Sequence, residues 1–257
     1  MKFLTAAVVG AAILVGGCAS IDGMVGDVAG RTIGTAVERR LEGMYAGYTD
    51  AALFHMTYIQ VFYLGGYGFT TDDFEEGQGA TWRITSENGD TGTVTAERAL
   101  LERREGGLSW WYLTYTPEGE NSLEYEVLLD REMQAREMYL RDPETGEIRH
   151  HVFDTAFEEE ELPEDEYYAE TVHVRDWDQY RRDRVTITVG AGTFETDLLV
   201  NTITEEESGD TMEYRWWVTE EVPGDLVQYE FEDLQEGDLL RGELMAIRRD
   251  YRSTLRR

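Results

Sequence analysis

Beyond residue 77 apolar and polar positions alternate with a period of two, as strands require, because successive side chains of a strand point to opposite faces. The alternation predicts strands over 81–86, 94–103, 108–115, 123–130, 134–141 and 148–153, separated by turn-forming Asn88-Gly89-Asp90, Glu105-Gly106-Gly107, Pro117-Glu118-Gly119 and Asp142-Pro143-Glu144-Thr145-Gly146. A second series of strands is expected over 168–175, 184–189, 193–204, 211–218, 226–232 and 239–249. Connections this short join antiparallel neighbours. The expected class is therefore mainly β (α+β): a large curved antiparallel sheet, internally duplicated, with an N-terminal helix packed on it.

The duplication is carried by two hairpins. Trp216-Trp217-Val218 leads through Pro223 and Gly224 to Val227-Gln228-Tyr229-Glu230, and Trp110-Trp111-Tyr112 leads through Pro117 and Gly119 to Leu123-Glu124-Tyr125-Glu126. Neighbouring tryptophans on one strand must face opposite sides of the sheet, so both sides are expected to be at least partly covered. Trp110, Trp111, Trp216, Trp217, Tyr125 and Tyr229 are the candidate lining of an apolar groove, with β core as the structural alternative. Pro117, Gly119, Pro223 and Gly224 form the turn motif.

Residues 21–48 have helical spacing, with Ile21, Val25 and Val28, then Val37, Leu41, Met44, Tyr45 and Tyr48, on an apolar face. Gly26, Gly30 and Gly34 recur every fourth residue and Gly43 and Gly47 repeat the interval, resembling the glycine-zipper pattern of some envelope proteins. A flexible tether is the other reading. The helix is expected to continue through Leu53, Met56, Ile59, Gln60 and Tyr63 to about Leu64 and to pack across the sheet. Glu158 to Glu166 is an acidic run with a proline and reads as a solvated linker.

With 41% apolar and 12% aromatic residues in 257, the chain can fill a core. Its net charge is −30, and Lys2 is the only lysine among 23 basic residues. Such a surface repels phosphate, which disfavours nucleic acid as a partner. The lone cysteine, Cys18, excludes an intramolecular disulfide.

Met1-Lys2 followed by an apolar run to Val15 has the form of a signal peptide, too short to be a membrane span. Val15-Gly16-Gly17-Cys18 resembles the bacterial lipobox, and that resemblance implies cleavage before Cys18 and lipidation of its sulfur. Ala19, in place of the Asp that commonly holds such proteins at the inner membrane, implies the outer membrane, facing the periplasm. The resulting plan is 1–17 signal peptide, 18–66 lipid anchor, tether and helical segment, 67–157 first β repeat, 158–166 acidic linker, and 167–257 second β repeat continuous with the first.

Val189-Gly190-Ala191-Gly192-Thr193-Phe194, followed by Trp217-Val218 and Val222-Pro223-Gly224 with Tyr229-Glu230, resembles envelope proteins of unknown function with a LolA/LolB-like fold. The resemblance, over 185–232, implies an incomplete barrel wrapped over a helix and an apolar ligand or lipoprotein held between them.

No nucleophile elbow, phosphate-cradling glycine loop or dinucleotide fingerprint is present. His150 and His151 are adjacent on a strand and so cannot both reach one ion without a bulge, and neither metal nor cofactor is expected. Arg103, Arg104, Arg248 and Arg249 are expected to pair with neighbouring carboxylates. The expected function is that of a membrane-anchored, non-enzymatic envelope lipoprotein binding an apolar ligand, such as an acyl chain, or a protein partner. Two alternatives are an assembly lipoprotein acting through its glycine-spaced helix and a hydrolase of envelope glycan using two of the 53 carboxylates.

Overall fold

A computed structural model describes residues 50–68, 71–87, 92–153, 177–204, 211–235 and 237–256. Cys18, the glycine-spaced stretch, the acidic linker and the strand expected over 168–175 lie outside these residues.

Among the described residues eleven strands form one antiparallel sheet. They are β1 (Gln78–Glu87), β2 (Gly92–Arg103), β3 (Ser109–Pro117), β4 (Leu123–Leu129), β5 (Ala135–Arg141), β6 (Ile148–Val152), β7 (Arg181–Val189), β8 (Gly192–Thr204), β9 (Thr211–Val218), β10 (Leu226–Asp233) and β11 (Leu239–Arg248). Their order is β6-β5-β4-β3-β2-β1-β11-β10-β9-β8-β7, so two meanders are joined where β1 pairs with β11. All eleven answer to expected strands with only their ends shifted, β1 and β7 each beginning three residues early.

The helix of the N-terminal part, α1 (Asp50–Phe62), has 13 residues and ends in a 3-10 turn at Leu64–Gly66. It lies across β2 and β3, while the turn lies across β10 and β11. At its start, Asp50 Oδ2 is 2.8 Å from His151 Nε2 and Asp50 Oδ1 is 3.1 Å from Arg149, which ties the helix to edge strand β6.

Beyond Glu243, β11 no longer pairs with β10. The turn between β7 and β8 meets it there: Ala191 N–H donates to Leu244 O at 3.0 Å, and Gly190 rests on Met245. The sheet is thus curled enough for strands four places apart to touch. The Gly-Ala-Gly-Thr-Phe segment owes its small residues to that contact.

The helix-bearing face holds the core, including Trp82, Ile84, Leu100, Trp111, Leu113, Tyr125, Val127, Trp216 and Tyr229. Burying such side chains contributes about 1.5–3 kcal/mol each. The Tyr229 ring is clamped between two glycines, since a Cβ on Gly65 would lie 2.3 Å from it and one on Gly242 2.0 Å. We therefore expect Gly242→Ala to destabilise the fold by about 3 kcal/mol, the upper part of the overpacking range, read as a shift in the urea midpoint. An unchanged midpoint would show that the ring is not clamped.

Candidate functional site

The six candidate groove residues do not line one groove. Trp111, Tyr125, Trp216 and Tyr229 point to the helix face and are filled core, all at 1% exposure or less. Trp110 is buried on the opposite face, and Trp217 lies half-buried there. Alternation forces the split within each pair. The two pairs are also in opposite phase, Trp111 facing inward from the first and Trp216 from the second. Correspondingly, Trp111 pairs with Val127 and Leu113 with Tyr125, whereas Trp216 pairs with Tyr229. Pro117 is the last residue of β3, while Pro223 lies in a turn after β9 has ended. An equal distance from proline therefore does not give an equal face.

Trp111 sits between Phe62 and Phe74, at 5.2 and 5.0 Å between ring centroids, and donates to Ser109 Oγ at 2.9 Å. Tyr125 meets Phe54 at 5.5 Å. Trp216 Nε1 donates to Gly65 O at 2.7 Å. The positive φ of Gly65, 56°, is what turns that carbonyl out of the helical path.

Beneath the end of α1 lies Arg98, fully buried, donating from Nη1 to Val61 O at 3.2 Å and Phe62 O at 2.9 Å. Burial lowers its pKa to about 9, against the charge of Asp73 and the influence of Tyr67, which raise it. The signal for this residue was present in the sequence. Arg98 falls in phase with Val94, Ala96 and Leu100, so a strand with an apolar face had to bury it.

The Val222-Pro223-Gly224-Asp225 turn docks on this arginine. A Cβ on Gly224 would lie 2.8 Å from Arg98 Nη2 and 3.0 Å from Phe74, and Gly224 N–H donates to Asp73 O at 3.3 Å. The echo turn, with Gly119 at φ 82°, has open space around that glycine. The two turns are alike in sequence but not in position.

From Arg98 a run of aromatic rings leads to the part of the helix face that α1 does not reach. Tyr67 stacks on Trp177 at 4.7 Å, Trp177 meets Trp216 edge-on at 5.3 Å, and Tyr214 stacks on Trp216 at 5.6 Å. Trp177 and Tyr180, from the short turn that precedes β7, are only half-buried, as are Ile203 and Met212 on β8 and β9. This half-covered aromatic end is the candidate binding surface. None of the six expected residues is exposed on it; Trp216 lies beneath it, against Trp177 and Tyr180.

His150 and His151 point to opposite faces, with His150 beside Glu137 at 2.9 Å and His151 on Asp50. Among the described residues no three of His, Cys, Asp and Glu gather closely enough to hold a metal. Arg104, Arg248 and Arg249 pair with Glu102, Asp250 and Glu75. Arg103 instead donates to the carbonyls of Thr71 and Phe74 at 2.9 and 2.5 Å.

No family model matches the chain, and no curated protein matches it. Among solved structures it is similar to a protein of Bacteroides fragilis assigned as exported, with a YmcC-like fold: 12% identity, TM-score 0.36, covering 70% of this chain and 98% of that one. It is also similar to a protein of Parabacteroides distasonis assigned as a lipoprotein, at 13% identity and TM-score 0.36 over 68% of this chain and 98% of the other. A third similarity is to a domain of Vibrio parahaemolyticus assigned to outer membrane lipoprotein sorting, at 12% identity and TM-score 0.28 over 69% and 87%. These are the kinds of protein that the resemblance over 185–232 names. With TM-scores this low, the fold assignment rests on the strand pairings themselves.

Asp225 adopts a left-handed conformation, φ 59°. Burial, followed by the charges of Asp73 and Glu220, raises its carboxyl from 3.8 to about 6. The folded protein therefore holds this proton more tightly than the unfolded chain does. Its contribution to stability falls as pH rises through that window, and the cost is complete above pH 6. Asparagine tolerates the same backbone angle. Asp225→Asn should stabilise the protein by about 1 kcal/mol at pH 8, a figure discounted for solvent screening, and leave it unchanged below about pH 4. Denaturation curves at the two pH values test this, and an equal effect at both would show that the carboxyl charge is not the cause.

Proposed function

We propose that the chain is an envelope lipoprotein, anchored through lipid on Cys18, that binds an apolar ligand of the acyl-chain class without catalysing its conversion. The observation that carries the reading is the half-buried pair Trp177 and Tyr180, set against the buried rings of Tyr67 and Trp216 at the end of the helix-bearing face. Flat rings with exposed edges offer an alkyl chain a large contact area at small entropic cost. They sit on a rigid sheet beside a core that is already filled, so a ligand would add to the structure rather than displace it.

The anchor and the binding surface have separate requirements. Among the described residues no helix is long and apolar enough to cross a membrane. Lipid on Cys18 would supply attachment, since several acyl chains together hold a protein stably to a bilayer. Cys18→Ala should abolish incorporation of labelled fatty acid and move the protein from the membrane to the soluble fraction. Retention in the membrane with no label would remove lipidation from the reading.

Ligand binding is tested on residues 50–257, purified without detergent, by native mass spectrometry with lipid extraction. An acyl-chain adduct is expected, reduced at least about tenfold by Trp177→Ala, equivalent to the loss of about 1.4 kcal/mol of contact. A clean apo mass would count against lipid carriage and in favour of a scaffold role.

A further inference from the structure

The face opposite α1 is covered over β1 to β4 by the chain's own residues 251–256. After β11 the backbone leaves the sheet and crosses β1 to β4 without regular secondary structure. It does not extend the strand ladder: after Tyr251 N–H donates to Gly77 O at 3.1 Å, most of the attachment is to one carboxylate. That carboxylate is Glu126, whose side chain has 0% exposure.

Glu126 gathers donors of three kinds from four consecutive residues. Oε2 accepts from Ser253 Oγ at 2.7 Å and from Arg256 Nε at 2.7 Å, while Oε1 accepts from Leu255 N–H at 2.8 Å and from the N–H of Thr254. Burial pushes this carboxyl up, but the bonds from Leu255, Ser253, Arg256 and Thr254 outweigh it and leave the pKa below the ordinary value. The Arg256 guanidinium also lies over Trp110, 4.0 Å from the ring centroid, with Glu102 at 3.5 Å. Leu255 is buried at 2% exposure, and the Tyr251 ring packs over Gly79 with its hydroxyl on Glu97.

Two backbone N–H groups, a hydroxyl and a guanidinium on one carboxylate, with an adjoining tryptophan for the arginine, form a charge-assisted set that selects a peptide bent around that carboxylate. We infer that the outer face of β2–β4 is a peptide-recognition groove for a bent Ser-Thr-Leu-Arg segment, occupied intramolecularly by residues 251–256. A protein partner presenting that chemistry would compete with the chain's own segment. Intramolecular attachment gives the latter an effective concentration of about millimolar, so a partner must exceed it in affinity or arrive when it is displaced. This inference is independent of the acyl-chain reading, because the groove and the aromatic end lie on opposite faces.

The test uses the full chain with Leu255→Ala and Arg256→Ala, which weaken the internal occupant and leave the groove intact. A synthetic peptide of residues 250–256 is titrated against it by calorimetry. Saturable binding tighter than about 1 mM is expected, weakened at least about tenfold when Glu126→Gln is added. Absence of binding, or binding indifferent to Glu126, would overturn the inference. Hydrogen exchange on the unmodified chain decides the matter even if the variant fails to fold. The amides of Thr254 and Leu255 should exchange through a local opening, at least about a hundredfold faster than those pairing β3 with β4. Exchange of both sets only on global unfolding would mean that the segment is fixed core and not a displaceable ligand.

Discussion

A positive charge at the centre of the core governs how the non-strand parts of this protein are arranged. Arg98 is fully buried, and a guanidinium taken out of water must find acceptors or the fold loses several kcal/mol. The last carbonyls of a helix have the converse need, because no intrahelical donor reaches them. Val61 and Phe62 supply those carbonyls. Since Arg98 lies mid-strand in β2, the two requirements together fix where α1 ends on the sheet. That end point in turn delivers Gly65 to Trp216, Tyr67 to Trp177, and Asp73 to the turn at Gly224.

The tryptophan pairs pose a different constraint. A strand with large aromatics on both sides needs cover on both sides, and the two halves of the sheet meet this unequally. Around β3, α1 covers Trp111 and the segment after β11 covers Trp110. Around β9 the inner Trp216 is covered, and the outer Trp217 remains half in water beside the Arg215 network of Glu213, Glu230 and Glu232. The Glu126 attachment is therefore more than a local ion pair. It holds in place the cover that lets β3 carry two rings.

Strands were legible in the sequence because alternation and turn chemistry are local properties, and every described strand answers to an alternating stretch. The face each tryptophan would take was not legible, because phase depends on which residue starts pairing, and a proline at the same distance ends β3 in one case and lies beyond the end of β9 in the other. Arg98 left a readable trace, an arginine at an apolar position of a strand. Glu126 left none. Its burial is produced by Ser253, Thr254, Leu255 and Arg256, which have no periodicity and stand at the far end of the sequence, so only the tertiary path reveals it.

The place left for a ligand is set by lengths as much as by residue types. A helix of 13 residues is about 20 Å long, and neighbouring strands are about 4.8 Å apart, so α1 laid across a sheet spans roughly four strands. The sheet has eleven. The turn at Leu64–Gly66 extends the cover to β10 and β11, and the turn at Trp177–Tyr180 reaches β8, but neither has the bulk of a helix. Among the described residues the incompletely covered surface falls toward β8 and β9, where Ile203, Met212, Tyr180 and Trp177 are half-buried. Lengthening the cover would seal this end as the core around Trp111 is sealed, and shortening it would expose Trp216 and Tyr229. Among the described residues, the extent of the available aromatic surface is therefore set by where Arg98 stops the helix.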